Sequence, residues 1–236
     1  YWGYAVSIAT LLTALAGPVF GTVADTKGYK KPVFTIALGI GAIASVALGF
    51  AKYWLAFLVV FVIAKVGYSV TLVFYDSMLV DVRLEDRMDE VSSQGYAWGY
   101  IGSCVPLVAS LGLILGADAI GISGTVAMMI AFFINAAWWV VVTLPLLRNY
   151  QQKYYVEAGG TDVRGIFSRL GKVFAEIRDD KKVLWFLAAF FFYIDGVYTI
   201  IEMATSYGKD VGISDTSLLM ALPVSYTHLT LPTTSR

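Results

Sequence analysis

Apolar residues in this chain come in long unbroken runs separated by short charged segments, with none of the polar and apolar alternation that marks barrel strands. Runs close to the roughly 20 residues a helix needs to cross a bilayer occupy about 2–20, 32–51, 54–79, 95–117, 124–147 and 183–206. They predict six membrane-spanning helices, and a seventh begins near Ser217. Helices this long exceed what a small globule buries, and a backbone crossing lipid must satisfy its own hydrogen bonds. The expected fold class is an all-α polytopic membrane protein.

The connecting segments sort by charge. Lys27, Lys30 and Lys31 follow the first run, Arg83 and Arg87 the third, and Arg148, Lys153, Arg164, Arg169, Lys172, Arg178, Lys181 and Lys182 the fifth. The opposite side carries only Lys52 and Lys209, and segment 116–124 has no basic residue. The excess of Lys and Arg places the first, third and fifth connections in the cytoplasm. The longest of them, 148–182, divides the chain into an N-terminal bundle (1–147) and the start of a second one (183–223). Within it Ile166, Phe167, Leu170, Val173, Phe174 and Ile177 recur at helical spacing, with Arg164, Arg169, Lys172 and Arg178 on other faces. This pattern predicts an amphipathic linker helix on the membrane surface.

Composition narrows the function. Of 236 residues 58% are apolar and 14% charged, with a mean hydropathy of +0.71, against about 45–50% and about 25% in soluble domains. Disorder is excluded and a soluble enzyme is disfavoured. The 17 basic residues balance the 17 acidic ones, so nothing points to nucleic acid. One cysteine, Cys104, and one histidine, His228, leave no material for a disulfide framework, a zinc site or Ser-His or Cys-His catalysis. The expectation is a protein without enzymatic activity, metal or cofactor, whose partners are the lipid bilayer and a small solute.

Both ends are expected to be truncated. Tyr1 opens inside an apolar run, which implies a further span upstream, and residues 224–233 read VSYTHLTLPT. A transposon-type sequencing adaptor encodes that decapeptide in one frame, so 224–236 are read as a non-native tail and His228 as part of it.

The first cytoplasmic connection, Gly21-Thr-Val-Ala-Asp25-Thr-Lys-Gly28-Tyr-Lys30-Lys31, resembles the G-x-x-x-D-R/K-x-G-R/K-R/K loop of the major facilitator superfamily. In that family the Asp and basic residues form a charge network that latches the two bundles. The resemblance therefore implies a gating role for Gly21, Asp25, Gly28, Lys30 and Lys31, although Thr26 and Tyr29 stand at positions where the family has basic residues. Three further stretches resemble the vacuole-effluxer branch, which includes the autophagy-related vacuolar amino-acid exporters of fungi and their bacterial homologues. They are Ser92-Ser-Gln-Gly95-Tyr-Ala-Trp-Gly99-Tyr-Ile-Gly102, Tyr193-Ile-Asp195-Gly196 continuing to Ala204-Thr-Ser-Tyr207-Gly208, and Phe74-Tyr75-Asp76-Ser-Met-Leu, where the family usually has Asn for Asp76. The resemblance implies a major facilitator fold fragment: helices two to seven of a twelve-helix transporter, plus a stub of helix eight, in a bacterial-type inner membrane. It also implies alternating-access export of small solutes, with amino acids as the expected class. Sugar or drug export on the same fold, or a non-transporting sensor or scaffold, are the rival readings.

Charges inside the spans carry the chemistry. Lys65 lies 11 residues after Trp54, about 16 Å of helical rise and so near the bilayer midplane. A lysine there costs about 2.5 to 3.5 kcal/mol and normally faces a polar cavity or a carboxylate. Asp76 falls near the same helix face; Asp195 lies 12 residues into its run, about 18 Å deep, and shares a face with Glu202. The resembled family lines its central cavity with the helices that carry these four residues. Lys65 is thus expected to hold a substrate carboxylate or to pair with Asp195, while Asp195 or Glu202 binds a substrate ammonium or a coupling proton. A structural ion pair is the plain alternative. Tyr68, Tyr198 and Asn135 are further pathway candidates; Asn135 suits an interhelical hydrogen bond better. Gly95, Gly99, Gly102, Gly112 and Gly116 are expected to allow close helix packing, Pro106 to bend its helix, and the Gly39-x-Gly41-x-x-Ala44 pattern has no preceding strand and is no dinucleotide fingerprint.

Overall fold

The computed structural model describes residues 1–82, 88–155, 168, 171–172 and 175–221. Its helices are α1 (Trp2–Ala24), α2 (Lys30–Leu48), α3 (Trp54–Val82), α4 (Met88–Leu115), the single turn α5 (Ala117–Ile120), α6 (Gly124–Asn149) and α7 (Lys181–Asp210). All six long helices are apolar enough to cross a membrane, and they fall on the six predicted runs, with ends within four residues except that α4 starts seven residues before its run. The predicted linker helix lies mostly outside the described residues, as do segment 83–87 and the tail 224–236.

The chain divides into two units. In the first, α2 packs against α3 and α6, and α4 packs against α6. α2 is the most enclosed helix, with 39% of its most apolar stretch buried against 11% for α1 and for α4. The rest of the apolar surface faces outward, including Leu11, Leu15, Ile36, Ile43 and Val108. Around a membrane protein such surface meets lipid tails rather than water, so packing rather than water exclusion must hold the helices together.

The packing centres on two glycines. A Cβ on Gly67 of α3 would lie 3.0 Å from the Cα of Gly41 and 3.1 Å from its nitrogen. One on Gly41 would lie 2.7 Å from Cη2 of Trp139 on α6. Gly41 therefore lets two helices approach α2 at one level. On one side of this crossing lies a core of Phe34, Ala37, Val70, Phe74 and Met78 with Tyr150; on the other, Ala44, Leu48 and Ala64 pack with Phe57, Phe61 and Phe132. The glycines singled out on α4 behave differently: among the described residues, no atom beyond the adjoining backbone of α4 itself lies within 4 Å of a Cβ built on Gly95, Gly99, Gly102 or Gly112. Close approach is supplied by α2 and α3 instead. α4 also runs continuously through Pro106.

The second unit contains α7 and a short segment C-terminal to it. Asp180 caps α7 by accepting the N–H groups of Lys182 and Val183 at 2.9 and 3.3 Å. Past Gly212, whose φ of 87° only glycine adopts at little cost, Ser214 accepts the N–H of Ser217 at 3.2 Å and opens a helical segment over 215–221. The sequence expects a further span to begin there. Gly208 admits the Leu218 side chain against α7, where a Cβ would collide.

Gly67→Ala should lower the thermal unfolding midpoint of the complete protein in detergent more than Gly41→Ala does. The first drives a methyl into backbone, at about 1 to 3 kcal/mol; the second meets the outer edge of an indole, which can turn. Equal midpoints for Gly67→Ala and wild type would mean that the two helices do not cross at these glycines.

Candidate functional site

α3 presents two different faces. Ala64, Gly67, Thr71, Phe74, Met78 and Asp81 follow one another at three- and four-residue spacing, and all are buried. That stripe is apolar or small until its last member, which is a carboxylate with a fully buried side chain. A charge removed from water must recover its solvation from fixed partners, and Asp81 has four. Lys30, itself buried at the start of α2, places Nζ 3.0 Å from Oδ2. The Tyr150 hydroxyl, just past α6, donates to the same oxygen. Oδ1 accepts the backbone N–H groups of Lys153 at 2.9 Å and Tyr154 at 2.8 Å. Lys30 also donates to the Ser77 carbonyl at 3.2 Å. Burial, and then the neighbouring Asp81 carboxylate, push the Tyr150 phenol above its ordinary range, so it stays a donor at physiological pH.

The loop between α1 and α2 closes onto the same cluster. Gly28 takes φ 79° to turn the chain, and its N–H donates to the Gln152 side chain at 3.0 Å. The Gln152 amide donates to the carbonyls of Ala24 at 3.2 Å and Thr26 at 3.3 Å. Thr26, at a position where the resembled motif has a basic residue, is buried and bonds back to the Thr22 carbonyl at 3.2 Å. Lys27 lies 4.7 Å from the centre of the Tyr155 ring, within cation–π range.

The predicted gating residues thus part company. Lys30 is the motif residue drawn into the core, Gly28 makes the turn, and Gly21 lies in the last turns of α1. Asp25 is exposed at the end of α1 and Lys31 is exposed on the first turn of α2. The acid that pairs with Lys30 comes from α3. Asp81, Tyr150 and Gln152 were not among the sequence candidates. The signal for Asp81 was present, as an acid continuing the small and apolar stripe of α3; Tyr150 and Gln152 carry no local signal, because their partners lie far away in sequence.

The intramembrane candidates fall as follows. Lys65 is half-buried on α3, with Tyr68 and Asp76 exposed on the adjoining face. The Tyr68 ring meets Trp139 edge-on, with centroids 5.8 Å apart. Asn135 donates to the Ser110 hydroxyl at 2.9 Å and to the Ala131 carbonyl at 2.8 Å, so it joins α6 to α4. On α7, Asp195 and Tyr198 are exposed and Glu202 is half-buried. Among the described residues no group of His, Cys, Asp and Glu could hold a metal ion.

Six apolar helices with charges placed deep in them define an integral, multi-pass membrane protein. The family model described as "Vacuole effluxer Atg22 like" matches residues 1–228, and the chain belongs to that family, whose members are transporters of the major facilitator type rather than enzymes. The chain is 42% identical over 229 residues to the "Uncharacterized MFS-type transporter YxiO" of Bacillus subtilis (strain 168), covering 95% of this chain and 54% of that one. It is 27% identical over 140 residues to autophagy-related protein 22-1 of Penicillium rubens, covering 55% of this chain and 22% of the relative. With autophagy-related protein 22 of Coccidioides immitis it shares 28% over 145 residues, covering 57% and 23%. The chain spans about half the length of the bacterial relative. No solved structure matches it.

Removing the carboxylate should cost more than removing the lysine. Asp81→Ala leaves Lys30, Tyr150 and two backbone N–H groups without their acceptor, a loss of about 3 to 5 kcal/mol, whereas Lys30→Met leaves the carboxylate three of its four donors. The exchanged pair Lys30→Asp with Asp81→Lys should fail to restore stability, since the N–H groups of Lys153 and Tyr154 still lack an acceptor. Unfolding midpoints of the complete protein check the order, and recovery in the exchanged pair would reduce the cluster to a simple ion pair.

Proposed function

We propose that this chain is part of a secondary transporter that exports small solutes, amino acids first among them, by alternating access across a bacterial-type plasma membrane. The observation that carries the reading is the set of ionisable residues within the spans: Lys65 near the middle of its run with Asp76 eleven residues on along α3, and Asp195 near the middle of its run with Glu202 seven residues on along α7. Such residues are expensive in a bilayer and mark solute or proton pathways. An amino acid presents one carboxylate and one ammonium, for which a cation and a carboxylate within the spans are the complementary groups. On α3, Lys65 would take a substrate carboxylate, with Tyr68 beside it. On α7, Asp195 or Glu202 would bind an ammonium or carry a coupling proton, with Tyr198 beside them. Asn135 is a weaker pathway residue, since its amide already joins two helices. The effluxer description of the family and the MFS-type name of the bacterial relative support the export of a small solute.

The cluster around Asp81 supports the gating half of the same reading. It lies at the helix ends that carry the basic loops, which positive-inside bias assigns to the cytoplasm, and it includes Lys30 of the motif that latches bundles in the major facilitator superfamily. A buried, fully hydrogen-bonded network of this kind holds the ends of α2, α3 and α6 in one arrangement, which suits a bundle that moves as a body.

The test is counterflow of labelled amino acids in proteoliposomes holding the complete protein. Lys65→Ala and Asp195→Asn should each lower flux at least about tenfold, the worth of a charge-assisted hydrogen bond, while the chromatographic profile stays that of wild type. Full flux in both variants would overturn the pathway assignment. Counterflow of sugars or drugs but not of amino acids would overturn the substrate class, and ligand binding without movement would make the protein a sensor.

A further inference from the structure

We propose that Gln152 is a positioning residue for the α1–α2 loop, through which the chain leaving α6 sets the shape of the gating segment. The inference rests on the transport reading only for its functional consequence; the structural part stands on the contacts alone.

The geometry is specific. In a continuing helix the carbonyl of Ala24 would accept the N–H of Gly28, four residues on. Here α1 ends at Ala24, and the Gln152 amide stands between the two groups. Its oxygen accepts the Gly28 N–H at 3.0 Å and its nitrogen donates to the Ala24 carbonyl at 3.2 Å. The same nitrogen lies 3.3 Å from the Thr26 carbonyl and 3.5 Å from that of Tyr154. One side chain thereby satisfies backbone groups that the end of a helix leaves open. Within the loop itself, Thr26 N–H reaches the Val23 carbonyl at 3.1 Å and Tyr29 N–H the Thr26 carbonyl at 3.3 Å.

Gln152 is held in turn. Tyr150 before it and the N–H groups of Lys153 and Tyr154 after it all bond to Asp81, so both flanks of the glutamine are fixed to the end of α3. Lys27 of the loop lies over Tyr155 and adds a second contact between the same two segments. The backbone at 150–155 therefore forms a strap from α6 across the end of α3 to the loop between α1 and α2. Its far end is covalently continuous with the connection to α7. Withdrawing the amide would expose the Gly28 N–H and the Ala24 carbonyl together.

The amide is tested with Gln152→Met, which keeps the length and volume of the side chain without its hydrogen bonds, and with Gln152→Asn, which is one methylene too short to bridge both groups. Hydrogen–deuterium exchange on the complete protein in detergent should show faster exchange in the peptide spanning 25–31 for both variants, with peptides from α4 unchanged. In proteoliposomes the maximal flux should fall about fivefold, the worth of one net hydrogen bond, with the half-saturating concentration unaltered. Wild-type exchange at 25–31 in whichever variant folds would overturn the proposal, as would faster exchange with unchanged maximal flux. If the wild-type protein moves no solute, the transport reading falls and exchange alone decides the role of the amide. Failure of both variants to fold, with Asp81→Ala still folding, would also overturn it, because the strap would then be core structure rather than a positioning device.

Discussion

A carboxylate with no exposure to solvent organises one end of the helical bundle. Desolvating an acid costs several kcal/mol even after relaxation, and one opposite charge rarely offsets it. Asp81 is compensated from several directions: an ammonium from α2, a phenol from the end of α6, and two backbone N–H groups from the residues beyond it. None of these donors is close to Asp81 in the chain, so satisfying one carboxylate fixes where three separate segments end. The buried hydrocarbon around it, Phe34, Phe74 and Met78, excludes the water that would otherwise compete.

The glycine crossing makes this meeting possible. Lys30 lies 11 residues before Gly41 and Asp81 lies 14 residues after Gly67, so the two Cα positions stand about 16 and about 21 Å along their helices from the point of contact. The difference of about 5 Å is what a lysine stem can span while its aliphatic carbons stay against apolar neighbours. A bulkier residue at the crossing would splay α2 from α3 and carry Lys30 out of reach, so backbone proximity at the middle of the helices and charge pairing at their ends are one design. Trp139 ties α6 into the same level, and Tyr150, one residue past the end of α6, reaches the same carboxylate.

How much of this could be read in advance depends on the range of each interaction. Span positions were legible because apolar run length against bilayer thickness is a local property; all six runs became helices. Lys30 and Gly28 were legible through the resemblance of one loop. The part played by Asp81 was half visible, since it continues the stripe of Gly67, Thr71, Phe74 and Met78, yet it falls just past the predicted run 54–79. Tyr150 and Gln152 were illegible for a different reason. A tyrosine and a glutamine in a polar segment gain meaning only from groups 69 and 124 residues away. The α4 glycines show a further limit: spacing says where a small face exists, not which helix meets it, and none of the described residues meets it at Gly95, Gly99, Gly102 or Gly112.

The two faces of α3 set a constraint that reaches beyond the buried cluster. Its inner stripe is closed by Asp81, whose two oxygens are both engaged, so that face is committed to structure. The adjoining face carries Lys65, Tyr68, Tyr75 and Asp76, and it cannot be a lipid surface at no cost, because a lysine at mid-depth in hydrocarbon would have to be stabilised from elsewhere. Tyr68 on that face meets the Trp139 indole edge-on. The helix thus buries one acid among fixed donors and carries a base and a second acid on the adjoining face. Because none of the donors to Asp81 comes from that second face, a substitution there leaves the buried network its partners.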